Sequence, residues 1–406
     1  RLSFFFMELA YIMFKGNNKV IDRIDALEVF KSCCRQEEKE DHRDWKIRLE
    51  EKFDLVEAGS GLMRTSDHQY TFCHLSIQEY LTAAHIKNGV TGDHYEVLKP
   101  LLTEHRYENV IRLYVGLLSI TGNKGGANRI VENILNDYSG PEIRLLAGNC
   151  LFDLHKDLRN DETTALVISK MQEIIDSRAA PAQLAGAGEI MGWLGDLRNL
   201  RKFVKIKGGT YQLAEGEEVW GNKKKWPGGL QIPDFEIGMY PVTNRWYAEF
   251  IAGGGYVKQE FWTEEGLRFI QSEGITEPLY WHDRRWSCPN APVVGVSWYE
   301  AIAFTNWWTQ HRADGNTYRL PAEEEWQLAA GGRKQTKYPW GDGWDKAKCN
   351  NGDLNLGKTS AVGIFHAGCT PVDTERLDHI FDMAGNVWEW TETAEGSDRV
   401  LRGGSW

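Results

Sequence analysis

Pro292-Val-Val-Gly-Val-Ser-Trp298 reads as chain running into a helix, and the fold of the whole second half can be worked out from it. Ser297 and Glu300 stand at capping-box spacing, where hydroxyl and carboxylate each satisfy a free amide at the helix start. Ala301, Ile302, Thr305 and Trp308 are then expected to line the inner side of that helix. Further on, Tyr318-Arg-Leu-Pro321 precedes a second helix, with Pro321, Glu323, Glu324 and Glu325 expected in its first turn. Proline fits a first turn, and carboxylates suit the positive end of the helix dipole. That position gives the three glutamates a structural reason to be there, ahead of a catalytic one. Gly331 and Gly332 end the helix.

Around these helices lie Pro241-Val-Thr-Asn244, Tyr338-Pro-Trp-Gly341, Asp382-Met-Ala-Gly-Asn-Val-Trp-Glu-Trp390 and Arg402-Gly-Gly-Ser-Trp406. Of the 17 tryptophans, 15 follow residue 201, which places a domain boundary between about Leu197 and Phe203. Residues 201–406 are broken by Gly-rich turns, and large indole rings compensate for scarce regular structure by burying much area per residue.

In this order the six motifs resemble the sulfatase-modifying-factor, or formylglycine-generating-enzyme, family. The resemblance implies a variant of the C-type lectin fold. It also implies a calcium ion in the Asp382–Glu389 turn, held by the side chains of Asp382 and Glu389 and the carbonyls of Gly385 and Val387. Hard oxygens in a tight loop suit calcium; the alternative is a metal-free turn fastened by the same carboxylates. A second family site near Asn350 is too poorly matched to carry over. Formylglycine-generating enzymes bind copper through two cysteines that follow the Arg-Gly-Gly-Ser-aromatic motif, and Cys288, Cys349 and Cys369 match neither position. The family's closing strand is likewise expected beyond Trp406. The same scaffold is the one that diversity-generating retroelements mutate to vary ligand specificity.

Residues 1–90 read as helices around a hairpin. Gly61–Arg64 and Tyr70–Cys73 flank the polar turn Ser66-Asp67-His68-Gln69. A helix follows, with Ser76 and Glu79 at capping-box spacing and Ile77, Tyr80, Leu81 and Ala84 on one face. The apolar run Ser3–Phe14 is too short for a membrane span and contains Glu8, so it is expected to be a core helix. Phe72-Cys-His-Leu-Ser-Ile-Gln-Glu-Tyr-Leu-Thr-Ala-Ala84 resembles the winged-helix motif of NACHT-type signalling ATPases (the STAND class). In that family the motif histidine, here His74, touches the phosphates of bound ADP; the alternative is a histidine packed where strand meets helix. No Gly-x4-Gly-Lys-Ser/Thr loop occurs in the sequence, so ATP or ADP is expected only through an upstream ATPase core.

Residues 91–200 read as paired helices: 95–102, 110–118, 130–135, 143–154, 165–175 and 184–194. Ala147 with Ala187, Gly148 with Gly188 and Leu154 with Leu194 echo at a spacing of 40, within the range of HEAT-type repeats. Small residues there are expected to let neighbouring helices approach closely.

The chain is thus read as multidomain, α followed by α+β. A winged-helix-like unit and HEAT-like repeats precede a lectin-like, sulfatase-modifying-factor domain. A net charge of −11 argues against a nucleic-acid groove as the main business, without excluding a local basic site. Seven scattered cysteines without a Cys-x-x-Cys pair fit a reducing compartment, and cytoplasm is expected. The expected function is that of a bacterial sensor in defence or conflict signalling. Its last domain binds a macromolecular ligand, protein rather than nucleic acid or membrane, with oligomerisation on activation. No catalytic residue is assigned. The competing reading is a copper oxidase making formylglycine, or an iron-dependent sulfur-chemistry enzyme of the same fold.

Overall fold

Leu2–Lys15 (α1) carries its apolar residues so densely that it must sit inside: Phe5, Phe6, Leu9, Ala10 and Met13 are buried. Phe5 meets Phe30 edge-on at 5.0 Å, and Phe53 and Tyr70 close the same cluster. The run Ser3–Phe14 is therefore the core helix expected of it. In this computed structural model the described residues are 2–34, 42–59, 63–66, 69–212, 229–332, 334–374 and 376–405. No described helix is long and apolar enough to cross a membrane.

The chain divides into two compact units, Arg1–Val167 and Ile168–Trp406. In the first, Ile21–Asp22 (β1) leads into Arg23–Ser32 (α2), whose first turn is capped by the Asp22 carboxylate accepting from the Asp25 amide at 2.9 Å. His42–Gly59 (α3) precedes the wing, Met63–Ser66 (β2) and Gln69–Phe72 (β3), an antiparallel pair with β1 on the other side of β3. The turn residues Asp67 and His68, with Gly61 and Leu62, lie outside the described residues. The following helix, Leu75–Asn88 (α4), begins two residues earlier than Ser76 as cap would require: His74 occupies the N-cap, and its side chain makes no capping bond. Glu79 is buried and accepts from Asn109 at 3.1 Å instead of capping. Burial also differs from the expected single face. Gln78, Glu79, Thr82 and Ala83 are enclosed and Tyr80 is exposed, because α4 packs against two helices rather than one.

The six expected helical stretches are helices: His94–Leu98 (α5), Glu108–Ile120 (α6), Lys124–Asp137 (α7), Pro141–Asp153 (α8), Asp161–Ile175 (α9) and Pro181–Leu194 (α10). The first is shorter than its apolar spacing suggests and finishes as a 3-10 turn, because Pro100 gives up an amide bond. The division between units falls within α9, so α10 belongs to the second.

There the small residues of α10 meet loops, not a neighbouring helix as their spacing suggests. A Cβ on Gly188 would stand 2.7 Å from the Ala361 Cβ, and one on Gly192 would stand 2.3 Å from Asn290 Oδ1. Asn290 donates to the Gly188 carbonyl at 3.0 Å and to the buried Asp196 carboxylate at 2.8 Å, and Asp196 also holds Arg198 at 2.6 Å.

The rest of this unit is built on short strands and four helices. Phe203–Ile206 (β4) pairs with Phe235–Gly238 (β7), and Gly209–Tyr211 (β5) with Leu230–Ile232 (β6). Asn244–Ala252 (α11), Glu264–Glu273 (α12), Trp298–Arg312 (α13) and Glu323–Gly331 (α14) follow, and Glu389–Glu395 (β8) forms a hairpin with Asp398–Arg402 (β9). The Ser297–Glu300 capping box is present, with Glu300 accepting from the Ser297 amide at 2.7 Å. The buried side of α13 is Ala303, Phe304, Trp307 and Trp308, turned from the expected Ala301, Ile302 and Thr305, which are only half-buried. The aromatic core sets that orientation: Trp246, Tyr247 and Phe250 of α11 pack on it, Trp246 edge-on to Trp308 at 4.8 Å. Pro321 sits just before α14 rather than in its first turn; Ala322 is the N-cap, and Glu325 accepts from its amide at 2.8 Å while pairing with Arg319. Gly332 closes that helix at φ 59°.

Candidate functional site

The turn before β8 reverses the chain through three left-handed residues, Asp382, Gly385 and Asn386. At Gly385 only glycine fits, since a Cβ would lie 2.2 Å from the Asn350 carbonyl. Asn386 holds the turn in place. Its amide donates to the Asn350 carbonyl (2.8 Å), its Oδ1 accepts from the Ser360 amide (3.0 Å), and its Nδ2 donates to the Ser360 carbonyl (3.2 Å).

The two carboxylates of the turn are held differently. Asp382 is buried and accepts from the Gly363 amide at 2.7 Å and from Asn386 at 3.4 Å; burial pushes it up to about 6. Glu389 accepts from the Trp326 indole at 3.3 Å through Oε2, while Oε1 is shut off from solvent and finds no partner among the described residues. Burial pushes Glu389 up to about 8, the Trp326 bond opposes this, and the charge of Asp382 adds to the rise. The Val387 carbonyl and Glu389 Oε1 converge: both lie within 3.7 Å of the point where a Cβ on Gly403 would stand. Of the four residues expected to hold a cation, Val387 and Glu389 are thus brought together. Asp382 is tied to Gly363 and Asn386, and the Gly385 carbonyl accepts from the Val387 amide at 2.8 Å. An orphaned buried carboxylate oxygen near a carbonyl supplies two of the roughly six to eight oxygens a calcium ion takes, so the turn offers part of the expected donor set. Among the described residues no three His, Cys, Asp or Glu side chains gather as a metal centre.

Beside this turn opens a cleft of about 860 Å3, with Val387, Trp388, Glu389 and Trp390 on one wall and β4, β7 and α13 on others. Trp246 and Trp308 line it, and their indole N–H groups find no acceptor among the described residues. The thiols of this unit are held in the protonated form by burial. Burial pushes Cys288 up to about 12 and Cys349 up to about 11, and raises Cys369 as well. In the first unit, His74 stands exposed at the start of α4 in extended conformation rather than packed.

The Sulfatase-modifying factor enzyme 1-like domain model matches residues 195–406, just over half of the chain. The chain belongs to that family. Residues 1–86 match the winged helix-turn-helix domain C-terminal to NACHT. Among curated relatives of the sulfatase-modifying-factor unit, "Inactive C-alpha-formylglycine-generating enzyme 2" of Bos taurus is 31% identical over 242 residues, 50% of this chain and 75% of that protein. "Hercynine oxygenase" of Mycolicibacterium thermoresistibile is 30% identical over 215 residues, 44% of this chain and 45% of that protein. The chain therefore spans about half the length of the hercynine oxygenases it matches. "Serine/threonine-protein kinase Pkn1" of Chlamydia trachomatis is 29% identical over 237 residues, 33% of that protein.

Sequence reasoning named the outer residues of the sulfatase-modifying-factor turn and missed what fixes them. Asn386, Asn350, Ser360, Trp326 and Gly403 make or shape the site. Asn386 and Gly403 stood within quoted motifs without a role, and Asn386 left the clearer trace, as an asparagine in a Gly-Asn-Val turn, where left-handed backbone is tolerated.

Proposed function

We propose that this chain is part of a NACHT/STAND-type bacterial sensor whose sulfatase-modifying-factor domain binds a macromolecular ligand, a protein, in defence or conflict signalling. The observation that carries the reading is the presence of a NACHT-associated winged helix and a sulfatase-modifying-factor domain in one chain. A switch module gains from a recognition domain, whereas an oxidase has no use for one. The α5–α10 helices serve as a HEAT-like spacer, the C-terminal domain is a C-type-lectin-like frame, and the protein works in the cytoplasm and oligomerises on activation. Its Trp-rich core and capped helices hold that frame while exposed side chains vary at little cost, which suits diversification by a retroelement. The matches to a formylglycine-generating enzyme and to hercynine oxygenases favour the other reading, a copper oxidase making formylglycine or an iron-dependent sulfur-chemistry enzyme, and one experiment tests its copper form. A chain extended past Trp406 is assayed with copper and a sulfatase-type peptide, and the locus is sequenced across close strains. No formylglycine is expected; its formation would overturn the receptor reading, and an invariant downstream segment would remove the diversification.

In the same reading, exposed His74 contacts the phosphates of a resting ADP held by an upstream ATPase core, at a helix start where amides favour an anion. His74→Ala in the full-length protein should weaken ADP binding about tenfold, the worth of one charge-assisted bond. Unchanged ADP affinity by calorimetry would remove His74 from the switch.

A further inference from the structure

Tyr338-Pro-Trp-Gly341 folds back on itself, with the Tyr338 amide donating to the Gly341 carbonyl at 2.9 Å and the Gly341 amide returning to Tyr338 at 3.0 Å. The turn is fastened again by the Lys337 amide on Asp342 (2.9 Å), the Trp340 indole on the Gly343 carbonyl (2.9 Å) and the Thr336 hydroxyl on the Tyr338 carbonyl (2.7 Å). On this rigid base three rings stand together. Tyr338 and Trp340 are stacked at 5.3 Å and 8°, and Trp344 leans against them at 5.2 and 6.2 Å. Trp344 is 49% exposed, and none of the three lines the cleft.

Lysines surround the rings. The Lys337 ammonium lies 5.5 Å over Tyr338 and that of Lys348 5.7 Å over Trp340, and Lys334 and Lys346 are exposed in the same segment. Among the described residues of this segment four lysines stand against two aspartates: Asp342 accepts from the Lys337 amide, and Asp345 accepts from the Ala347 amide and lies 3.9 Å from the Lys348 ammonium. In a chain of net charge −11 this is a local surplus of positive charge on a preorganised aromatic ledge. Tryptophan and tyrosine held rigid at the surface are the residue types that dominate interface energetics, since little ordering entropy remains to be lost on binding.

We propose that this ledge, residues 334–348, binds an acidic segment of a polypeptide partner. Aromatic rings take the partner's apolar side chains while the lysine rim takes its carboxylates. The proposal rests on the receptor reading and names the surface that does the capturing. A nucleic acid is disfavoured because phosphate tracking needs a long basic stripe.

The test uses the full chain and fluorescence anisotropy with three labelled probes: a Glu–Tyr copolymer, a Lys–Tyr copolymer and an oligothymidine of about 16 nucleotides, the upper end of single-strand site sizes. The Glu–Tyr probe should bind, more weakly as salt rises. Trp344→Ala should weaken it about tenfold or more, the loss typical of a central aromatic anchor. Lys346→Glu, a surface change that leaves the rings in place, should weaken it severalfold, while Arg268→Glu on the exposed side of α12 should not. Wild-type affinity in both Trp344→Ala and Lys346→Glu would overturn the proposal, as would oligothymidine or Lys–Tyr binding as tightly as Glu–Tyr. A chain that binds no probe would overturn the ledge alone, because the receptor reading fails only on formylglycine formation.

Discussion

Asn386→Ala is expected to destabilise the C-terminal unit by roughly 4 kcal/mol, the range reserved for breaking a buried polar network. The asparagine side chain sits at 0% exposure between Ser360, Asn350 and Asp382. Removing it strands the Ser360 amide and carbonyl and takes a partner from the Asp382 carboxylate, and each buried group left unsatisfied costs about 1–3 kcal/mol. Alanine also tolerates the left-handed backbone at φ 66° less well than asparagine does, adding roughly 1 kcal/mol. Asn386→Gly isolates the side-chain part, because glycine restores the backbone freedom without the bonds, and it should recover only about that last 1 kcal/mol. Chemical denaturation of the full chain, followed through the tryptophans, reads the difference. A loss below about 1 kcal/mol in Asn386→Ala would mean that the turn is held by something else.

Calcium should raise the melting temperature of the same unit, and in chelator the unit should become less stable as pH rises. Burial holds Glu389 at about 8 in the folded chain against an ordinary value near 4.5. The folded state therefore keeps a proton that the unfolded state has released, so stability is full below about 4.5 and is lost as pH climbs through about 8. At 1.36 kcal/mol per unit the loss across this window is on the order of 5 kcal/mol. A divalent cation at Glu389 and Val387 replaces the proton, so calcium should flatten the pH dependence and, at a hundredfold excess over its dissociation constant, add about 2.7 kcal/mol. Glu389→Gln should abolish the calcium response and the part of the pH slope above about 6, leaving below it the slope that belongs to Asp382. A melting temperature indifferent to chelator at pH 8.5, with no metal by elemental analysis, would leave the turn metal-free.

How far these features could be read from sequence depends on the range of the interaction that makes them. The Ser297–Glu300 cap, the glycine stop at Gly332, the wing strands and the helical run from α6 to α10 rest on neighbours within a few residues, and sequence showed them. The turn of α13 did not show, because its buried side is chosen by Trp246 and Phe250, about 55 residues away, and not by its own spacing. The same is true of Pro321, displaced from its helix when Ala322 took the cap, and of Ser76, where His74 begins the helix instead. At the candidate site the outer carboxylates carried a signature. The partners that decide their state, Gly363, Ser360 and Trp326, lie far from the turn in sequence, so only the folded chain reveals that the Asp382 carboxylate is tied to Gly363 and Asn386 while Glu389 Oε1 is left over. Trp406 lies outside the described residues.

The seating of α10 bears on how such a protein can be recombined. Gly188 and Gly192 leave no room for a side chain, and Asn290 reaches back to bond the helix it lies against. Family similarity begins at residue 195, just past this helix, so a graft cut there would carry a sulfatase-modifying-factor unit stripped of one wall. Its Asn290 would lose the Gly188 carbonyl, and the surface around Ala361 and Ile364 would be laid open to water. Exchange of specificities between chains, in the laboratory or over generations, should therefore succeed with crossovers in the short link before Pro181 and fail with crossovers at the edge of the similarity.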